Sequence, residues 1–316
     1  MFVDKFFPGT TPFLCSYGKS PALAAGCTVI IKAAEQTPLT ALAMAALIKE
    51  AGIPAGVVNV ITGYGPTVGT ALTNHPRLDK MAFTGSTEVG RIIMKGATAV
   101  NLKRVTLELG GKSPLVIFND ADVENAADIA HRAAFTNGGQ CCVAGTRTFV
   151  QSGIYDKFVA KSAEIAKKRT VGNPFGNVQQ APQIDTDIFT KVIGYIEAGK
   201  KEGARCVAAG GRHGKVGFFV QPTVFADVTD NMTIAREEIF GPVQSILKFE
   251  TFEEVVDRAN DSNYGLGAGV ITNDVTTALA FAKHVRAGSV WVNTYEHIVA
   301  QAPFGGFRES GIGREL

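Results

Sequence analysis

The chain has 316 residues, 46% of them hydrophobic, with 31 Lys and Arg against 29 Asp and Glu for a formal net charge of +2. That length suits about two domains with sizeable cores, and a nearly balanced charge without a basic run excludes the electrostatic footprint of a nucleic-acid binder. No apolar stretch reaches the roughly 18 residues of a membrane-spanning helix, and residues 1–20 lack the basic start and continuous apolar core of a secretory signal.

Residues 1–12 carry neither helical nor strand periodicity and suggest a junction or a truncation. From Cys27 onward short apolar runs alternate with amphipathic stretches. A buried strand is expected at 27–32, and Thr37-Pro38 supply an N-cap and a first-turn proline for a helix reaching about Glu50, stopped by Ala51-Gly52-Ile53-Pro54. A strand at 57–62 leads through a glycine-rich turn to a helix ending near Asn74. Further strands are expected at 81–84 and 104–109, with a helix between them after Gly85-Ser86-Thr87. This alternation argues for a parallel, doubly wound α/β sheet.

After Gly110-Gly111 the rhythm restarts with a strand at 114–118 and a helix from Asp122 to about Asn137. Helices are expected at 154–169, 186–202 and 275–285, and strands at 218–225, 243–249, 267–272 and 289–293. The chain therefore reads as two α/β domains, 1–110 and 111–316, the first incomplete and atypical over 1–20. Five cysteines form an odd count, and the adjacent Cys141 and Cys142 read as free thiols in a reducing compartment, the cytosol by default.

Two segments carry candidate chemistry. Cys142 follows the turn-prone Asn137-Gly138-Gly139-Gln140, where backbone amides, a bound cation or a neighbouring base could activate a thiolate; the plainer reading is a small buried core residue. Glu108 ends a strand against Gly110-Gly111, a position from which a carboxylate can activate water, or where it is simply a solvated or salt-bridged glutamate. Gly63-Tyr64-Gly65-Pro66-Thr67-Val68-Gly69 and Gly85-Ser86-Thr87-Glu88-Val89-Gly90 each fall between a strand and a helix, where amides and a helix N-terminus favour a phosphate. Neither is the strict dinucleotide fingerprint, and turn-forming glycine explains each alone. Lys32 and Glu35 could hold ribose hydroxyls, and a Glu there repels an added 2′-phosphate, favouring NAD over NADP.

With these segments the chain resembles the aldehyde dehydrogenase superfamily, in particular the NAD-dependent cytosolic, mitochondrial and retinal-type class. The resemblance runs from about Pro21 to the C-terminus and takes in Glu35-Gln36-Thr37-Pro38, Phe83-Thr84-Gly85-Ser86-Thr87-Glu88-Val89-Gly90, the Glu108 and Cys142 segments, Glu237-Glu238-Ile239-Phe240-Gly241-Pro242 and Pro303-Phe304-Gly305-Gly306-Phe307. It implies an aldehyde dehydrogenase-like fold and oxidation of a small aldehyde to an acid with NAD, without a metal. Cys142 would be the nucleophile, forming a thiohemiacetal and then a thioester, and Glu108 would activate the hydrolytic water. Lys32 and Glu35 would bind the adenosine ribose, with Gly65, Pro66 and Gly69 lining the adenine side. Gly85 and Ser86 would approach the pyrophosphate, Glu238 would hold the nicotinamide ribose beside Phe240, and Lys191 would make a weaker cofactor contact. Phe304 would wall the aldehyde pocket.

The resemblance also defines departures. Family members have more chain before Pro21 and another strand beyond Leu316, so the homo-oligomer usual in the family is doubtful for this chain. An Asn that helps hold the oxyanion falls, by counting back, at about Gly9, and losing one such donor costs about two to three orders of magnitude in turnover. Ala181 replaces a usual glycine, and Ile188 a Gln that helps place adenosine. A catalytically impaired isoform or fragment, binding dinucleotide only or serving in structure, is the alternative to an active enzyme. The expected compartment is cytoplasmic, with the mitochondrial matrix the other family location, and neither nucleic acid nor a membrane is an expected partner.

Overall fold

The structure, a computed structural model, describes residues 2–4 and 19–316. The position counted to Gly9 lies outside the described residues. The strands are β1 (Phe2–Asp4), β2 (Val29–Lys32), β3 (Val58–Ile61), β4 (Lys80–Thr84), β5 (Arg104–Glu108), β6 (Pro114–Ile117), β7 (Arg147–Gln151), β8 (Arg205–Ala208), β9 (Thr223–Ala226), β10 (Val243–Phe249), β11 (Gly267–Ile271), β12 (Ser289–Val292) and β13 (Gly311–Ile312). The chain divides into two compact units, Met1–Gly110 with Ile298–Leu316, and Gly111–His297.

The sheet of the first unit runs β13-β5-β4-β1-β2-β3. All its pairs are parallel except β13 with β5. Alternation along the strands sends apolar side chains to both faces, as buried parallel sheets require. Val29 and Ile31 of β2 and Ala82 of β4 pack with Ala41 of the helix Pro38–Glu50, while Met81 and Phe83 pack with Ile93 of the helix Thr87–Thr98. Ser86 caps the latter helix by accepting from the Val89 N–H. Thr37 occupies the N-cap position of Pro38–Glu50 but makes no side-chain capping bond.

Two features of this unit depart from the sequence reading. Phe2–Asp4, within the stretch read as aperiodic, forms β1 between β2 and β4. Three residues are too few to show a period, and their pairing partners lie far along the chain. Residues 298–316, assigned by sequence to the second domain, join the first unit instead. Gly311 and Ile312 pair with Glu108 and Leu107, and Phe304 forms a bridge with Glu315.

The sheet of the second unit runs β12-β11-β6-β7-β10-β9-β8, parallel except for β8 against β9. Its two faces again separate by alternation. Leu115, Ile117, Val150 and Ile246 lie with Ala130, Phe135 and Phe158, whereas Val116, Phe149, Leu247 and Phe249 lie with Ile196 and Phe281. The helices Val123–Phe135, Tyr155–Lys168, Thr186–Lys201 and Val275–His284 stand within two residues of their expected ends, and Asp122, Asp185 and Asp274 cap three of them.

Several elements differ here, among them β8 and the helix Thr233–Arg236, neither of which was expected. The expected strand 218–225 starts only at Thr223, because Pro222 has no N–H to give a ladder. β7 and the helix Phe252–Asn260 were not anticipated. Thr251 accepts from the Glu254 N–H at 3.3 Å, one half of the S/T-x-x-E cap that marks a helix start.

Candidate active site

In the first unit, a cleft of about 800 Å³ opens past the carboxyl ends of β2, β3 and β4, the edge where open α/β sheets bind ligands. It gathers Lys32, Glu35, Gly65, Pro66, Gly69 and Ser86 on one surface. Lys32, the last residue of β2, is buried; its Nζ donates to the Ala33 carbonyl at 2.9 Å and pairs with Glu35 Oε2 at 3.3 Å. The other carboxylate oxygen, Oε1, accepts from the Gly65 N–H at 2.7 Å. Partial burial pushes the Glu35 carboxyl up, but the Gly65 N–H and Lys32 outweigh it and hold the group below its ordinary value. Glu35 is thus a fixed negative charge beside the turn Gly65–Gly69, which contains Pro66 and Gly69 and leads into the helix Thr70–Thr73.

Gly85 follows β4 and donates its N–H to the Glu108 carbonyl at 3.1 Å. A Cβ there would meet the Phe83 ring at 2.4 Å, so Gly85 lets the strand turn tightly into the Ser86-capped helix. Glu108 ends β5 between Thr84 of β4 and Gly311 of β13. At 8% exposure it is buried, which removes the surface-glutamate reading. Phe304 belongs to the same unit, half-buried, with main-chain hydrogen bonds to Glu315 in both directions.

In the second unit, the helix Val123–Phe135 ends in a turn in which Asn137, Gly138 and Gly139 all take the left-handed conformation, with φ of 53°, 64° and 72°. The turn is held from several sides. The Asn137 side chain donates to the Gln140 carbonyl, the Gln140 side chain bonds Asn137 O and the Ile184 N–H, and Gln183 donates to the Gly138 carbonyl. A Cβ on Gly139 would lie 2.1 Å from the Gly241 carbonyl, so the turn and the Glu237–Pro242 segment touch backbone to backbone. Cys142 leaves this turn half-buried, a few residues before β7.

Gly111 joins these parts. A Cβ on it would stand 2.3 Å from the Cys142 carbonyl. Its N–H donates to Glu238 Oε1 at 3.0 Å. The structure therefore brings the Cys142 backbone and the Glu238 carboxylate, from two residues singled out by sequence, against one glycine. Burial raises the Glu238 carboxyl, opposed by the Gly111 N–H and by the charges of Lys191 and Lys112. Lys191, on the helix Thr186–Lys201, also lies 5.8 Å from the Tyr195 ring centroid. Phe240, two residues beyond Glu238, holds a positive φ of 60°, an unusual conformation for a bulky residue.

Sequence reasoning did not assign roles to three neighbours. Tyr295 donates its hydroxyl to the Val143 carbonyl at 2.8 Å, next to Cys142. Glu296 interacts with Cys141 and is pushed up to about 7 by burial. Lys112, 2% exposed, is pushed down to about 7 by burial and by Arg147. Only Lys112 had an available signal, since a cation directly after Gly110-Gly111 in an otherwise apolar segment is itself unusual.

Chemically, the second unit offers a thiol at a rigid backbone elbow with a carboxylate fixed nearby, and the first offers an acid-marked cleft of a size that suits a nucleotide. Among the described residues, no helix is long and apolar enough to cross a membrane.

The aldehyde dehydrogenase family model matches residues 10–316. Aldehyde dehydrogenase 1A1 of Gallus gallus is 58% identical over 298 residues, covering 94% of this chain and 58% of that protein. The mitochondrial aldehyde dehydrogenase of Homo sapiens is 57% identical over 314 residues, covering 99% of this chain and 61% of that one. Among solved structures, the NAD+ complex of an aldehyde dehydrogenase from Bacillus cereus superposes with a TM-score of 0.96 at 48% identity, covering 100% of this chain and 64% of the other. The chain thus spans about three fifths of the length of the relatives it matches. With the motifs, the fold and these likenesses in agreement, the chain belongs to the aldehyde dehydrogenase family.

Proposed function

We propose that this chain oxidises a small or medium apolar aldehyde to its carboxylic acid, with Cys142 as nucleophile and NAD as hydride acceptor. The observation that carries the reading is the Gly111 junction. It ties the Cys142 backbone to the Glu238 carboxylate, so the thiol and a ribose-binding group share one rigid support.

The Cys142 thiolate adds to the aldehyde carbon, and the backbone amide of Cys142 donates to the oxygen as it gains charge. Bound NAD supplies an acceptor for the hydride leaving that carbon. The product on the chain is a Cys142 thioester. Glu108 takes a proton from water as the water attacks, the acid departs and the thiol is regenerated. Lys32 and Glu35 fit adenosine ribose hydroxyls, because Glu35 is held charged by the Gly65 N–H and Lys32 at the cleft surface. The same charge favours NAD over NADP, since a 2′-phosphate would face a carboxylate there. Gly65, Pro66 and Gly69 line the adenine side, Gly85 and Ser86 the pyrophosphate, Glu238 and Phe240 the nicotinamide side, and Lys191 makes a weaker cofactor contact. Phe304 contributes apolar wall to the aldehyde pocket, and the cytoplasm or mitochondrial matrix supplies the substrate.

Rapid mixing of the purified chain with NAD and a short aliphatic aldehyde, followed at the NADH absorbance, tests this. A burst lost in Cys142→Ala, with NAD binding retained by that variant, is the expected result. NAD binding without any burst in the wild-type chain would overturn it in favour of a binding role.

A further inference from the structure

Cys142 stands at the second position of a turn that the Ala144 N–H closes on the Cys141 carbonyl at 3.1 Å. The carbonyls of the two central residues are held separately. That of Cys142 lies against Gly111, and that of Val143 accepts the Tyr295 hydroxyl at 2.8 Å. The N–H of Gly145, just beyond the turn, is fixed by the Ala133 carbonyl at 3.0 Å. Of these constraints, only the one on Val143 comes from a side chain, and it reaches the turn from 152 residues further along the sequence.

The approach of Tyr295 is built into the backbone around it. A Cβ on Gly145 would lie 3.1 Å from its ring carbon Cζ and 3.3 Å from its hydroxyl oxygen, and a Cβ on Gly269 of β11 would lie 2.7 Å from Cδ2. Two glycines thus make room for the ring, and the Trp291 ring packs on it with centroids 4.8 Å apart. Asn293 and Glu296, on either side of Tyr295 in sequence, hold left-handed φ of 55° and 58°. That conformation is costly for a residue with a side chain and persists only where the surroundings impose it. Here the Asn293 side chain bonds both the N–H and the carbonyl of Thr272 at 3.0 Å, and Trp291 Nε1 donates to the His297 carbonyl at 3.0 Å. A phenylalanine would fill the same slot. What tyrosine adds is one O–H, and its acceptor is the turn that carries the thiol. Burial, then Glu296, hold that hydroxyl well above its ordinary value, so it stays protonated and able to donate.

Resting on the reading of Cys142 as nucleophile, we propose that Tyr295 is a positioning residue for that thiol. Its hydroxyl fixes the Val143 carbonyl and with it the peptide planes of the turn, whose orientation sets the direction of the Cys142 side chain and of the main-chain N–H groups beside it. Without the O–H, the Val143 carbonyl loses its partner and the turn relaxes toward another one. A displacement of roughly 1 Å at a reacting centre is enough to cost about 100-fold in rate.

The test compares the whole chain with Tyr295→Phe, which keeps the ring and removes only the O–H. After mixing with NAD and a short aldehyde, the rate constant of the NADH burst should fall about 10-fold or more. The burst amplitude and the NAD dissociation constant from calorimetry should stay at their wild-type values, and the melting temperature should drop by about 3 °C. A purely structural role would give the reverse, a smaller amplitude from fewer competent sites at an unchanged rate constant, and that result overturns the proposal. A variant that fails to fold overturns it too, since the hydroxyl would then serve the fold. Acylation of Cys142 by para-nitrophenyl acetate without NAD, followed by nitrophenolate release, separates this proposal from the oxidation reading. A wild-type chain that is acylated but makes no NADH sinks the oxidation reading alone, and Tyr295→Phe should still slow nitrophenolate release about 10-fold. An unchanged release rate overturns the positioning role, and so does a wild-type chain whose Cys142 reacts with neither substrate.

Discussion

The main-chain N–H of Gly111 donates to the carboxylate of Glu238 at 3.0 Å, while the α-carbon of the same glycine leaves no room for a side chain beside the Cys142 carbonyl. Gly111→Ala places a methyl group 2.3 Å from that carbonyl, so backbone must move. The variant should lose about 2 kcal/mol of stability, as overpacking does, and nearly all of the NADH burst. Urea unfolding and stopped-flow absorbance measure the two effects. Normal burst kinetics in a folded Gly111→Ala protein would show that the contact does not position the thiol.

Glu238→Gln keeps an acceptor for the Gly111 N–H and removes the charge, whereas Glu238→Ala orphans the donor. The Gln variant should melt within a degree or two of wild type yet turn over at least about 10-fold more slowly, because the Gly111 hydrogen bond is kept while the charge facing ligand is lost. The Ala variant should be the less stable by about 1–2 kcal/mol. Equal melting temperatures for Gln and Ala would mean that the hydrogen bond contributes nothing.

Glu108→Gln separates the two chemical stages. Removing a general base costs roughly 100-fold or more in the step it serves. The burst amplitude should therefore survive while steady-state turnover collapses. Wild-type turnover in the variant removes Glu108 from the hydrolytic step.

Glu35→Gln retains an acceptor for the Gly65 N–H and deletes the charge next to Lys32. The ratio of NADP to NAD affinity should rise about 10-fold, which corresponds to about 1.4 kcal/mol of relieved repulsion. Titration calorimetry with each oxidised cofactor reads it directly. A ratio unchanged from wild type locates discrimination elsewhere.

His131 should contribute to the acid sensitivity of the second unit. It is 7% exposed, its Nε2 lies 3.3 Å from Arg169 Nη1, and burial, then Arg169, push it down to about 4. An unfolded histidine titrates near 6.5, so the unfolded chain binds the extra proton between about 6.5 and 4. Stability from this group is complete above the unfolded value and declines as pH falls through that window, by about 3 kcal/mol in all. His131→Gln should flatten the melting temperature between those pH values, and an unchanged slope would assign the acid sensitivity to other groups.

Much of the fold could be read before any coordinates because its period is regular. Apolar runs of four to six residues separated by capped amphipathic helices admit few arrangements other than a wound parallel sheet. Asp122, Asp185 and Ser86 mark helix starts in sequence and perform that task in space. β7 escaped notice because Arg147-Thr148-Phe149-Val150-Gln151 carries only two apolar residues, and its Arg and Thr are buried by partners distant in sequence. The 218–222 stretch misled for the opposite reason, since Phe218, Phe219 and Val220 are apolar without forming a ladder strand. At the candidate site, Cys142, Glu238 and the glycines were visible as motifs. The dependence of two of them on the single residue Gly111 was not, because a glycine's reason for being small lies in what it touches.

β13 gives the architecture a consequence for how the molecule is made. Among the described residues, Gly311 and Ile312 lie at one edge of the first sheet against β5, where a Cβ on Gly311 would fall 1.9 Å from the Leu107 carbonyl. Between β5 and β13 the chain completes all of Gly111–His297. During synthesis the second unit can therefore fold from contiguous chain, while β5 must wait for its β13 partner until residues 111–297 have been translated.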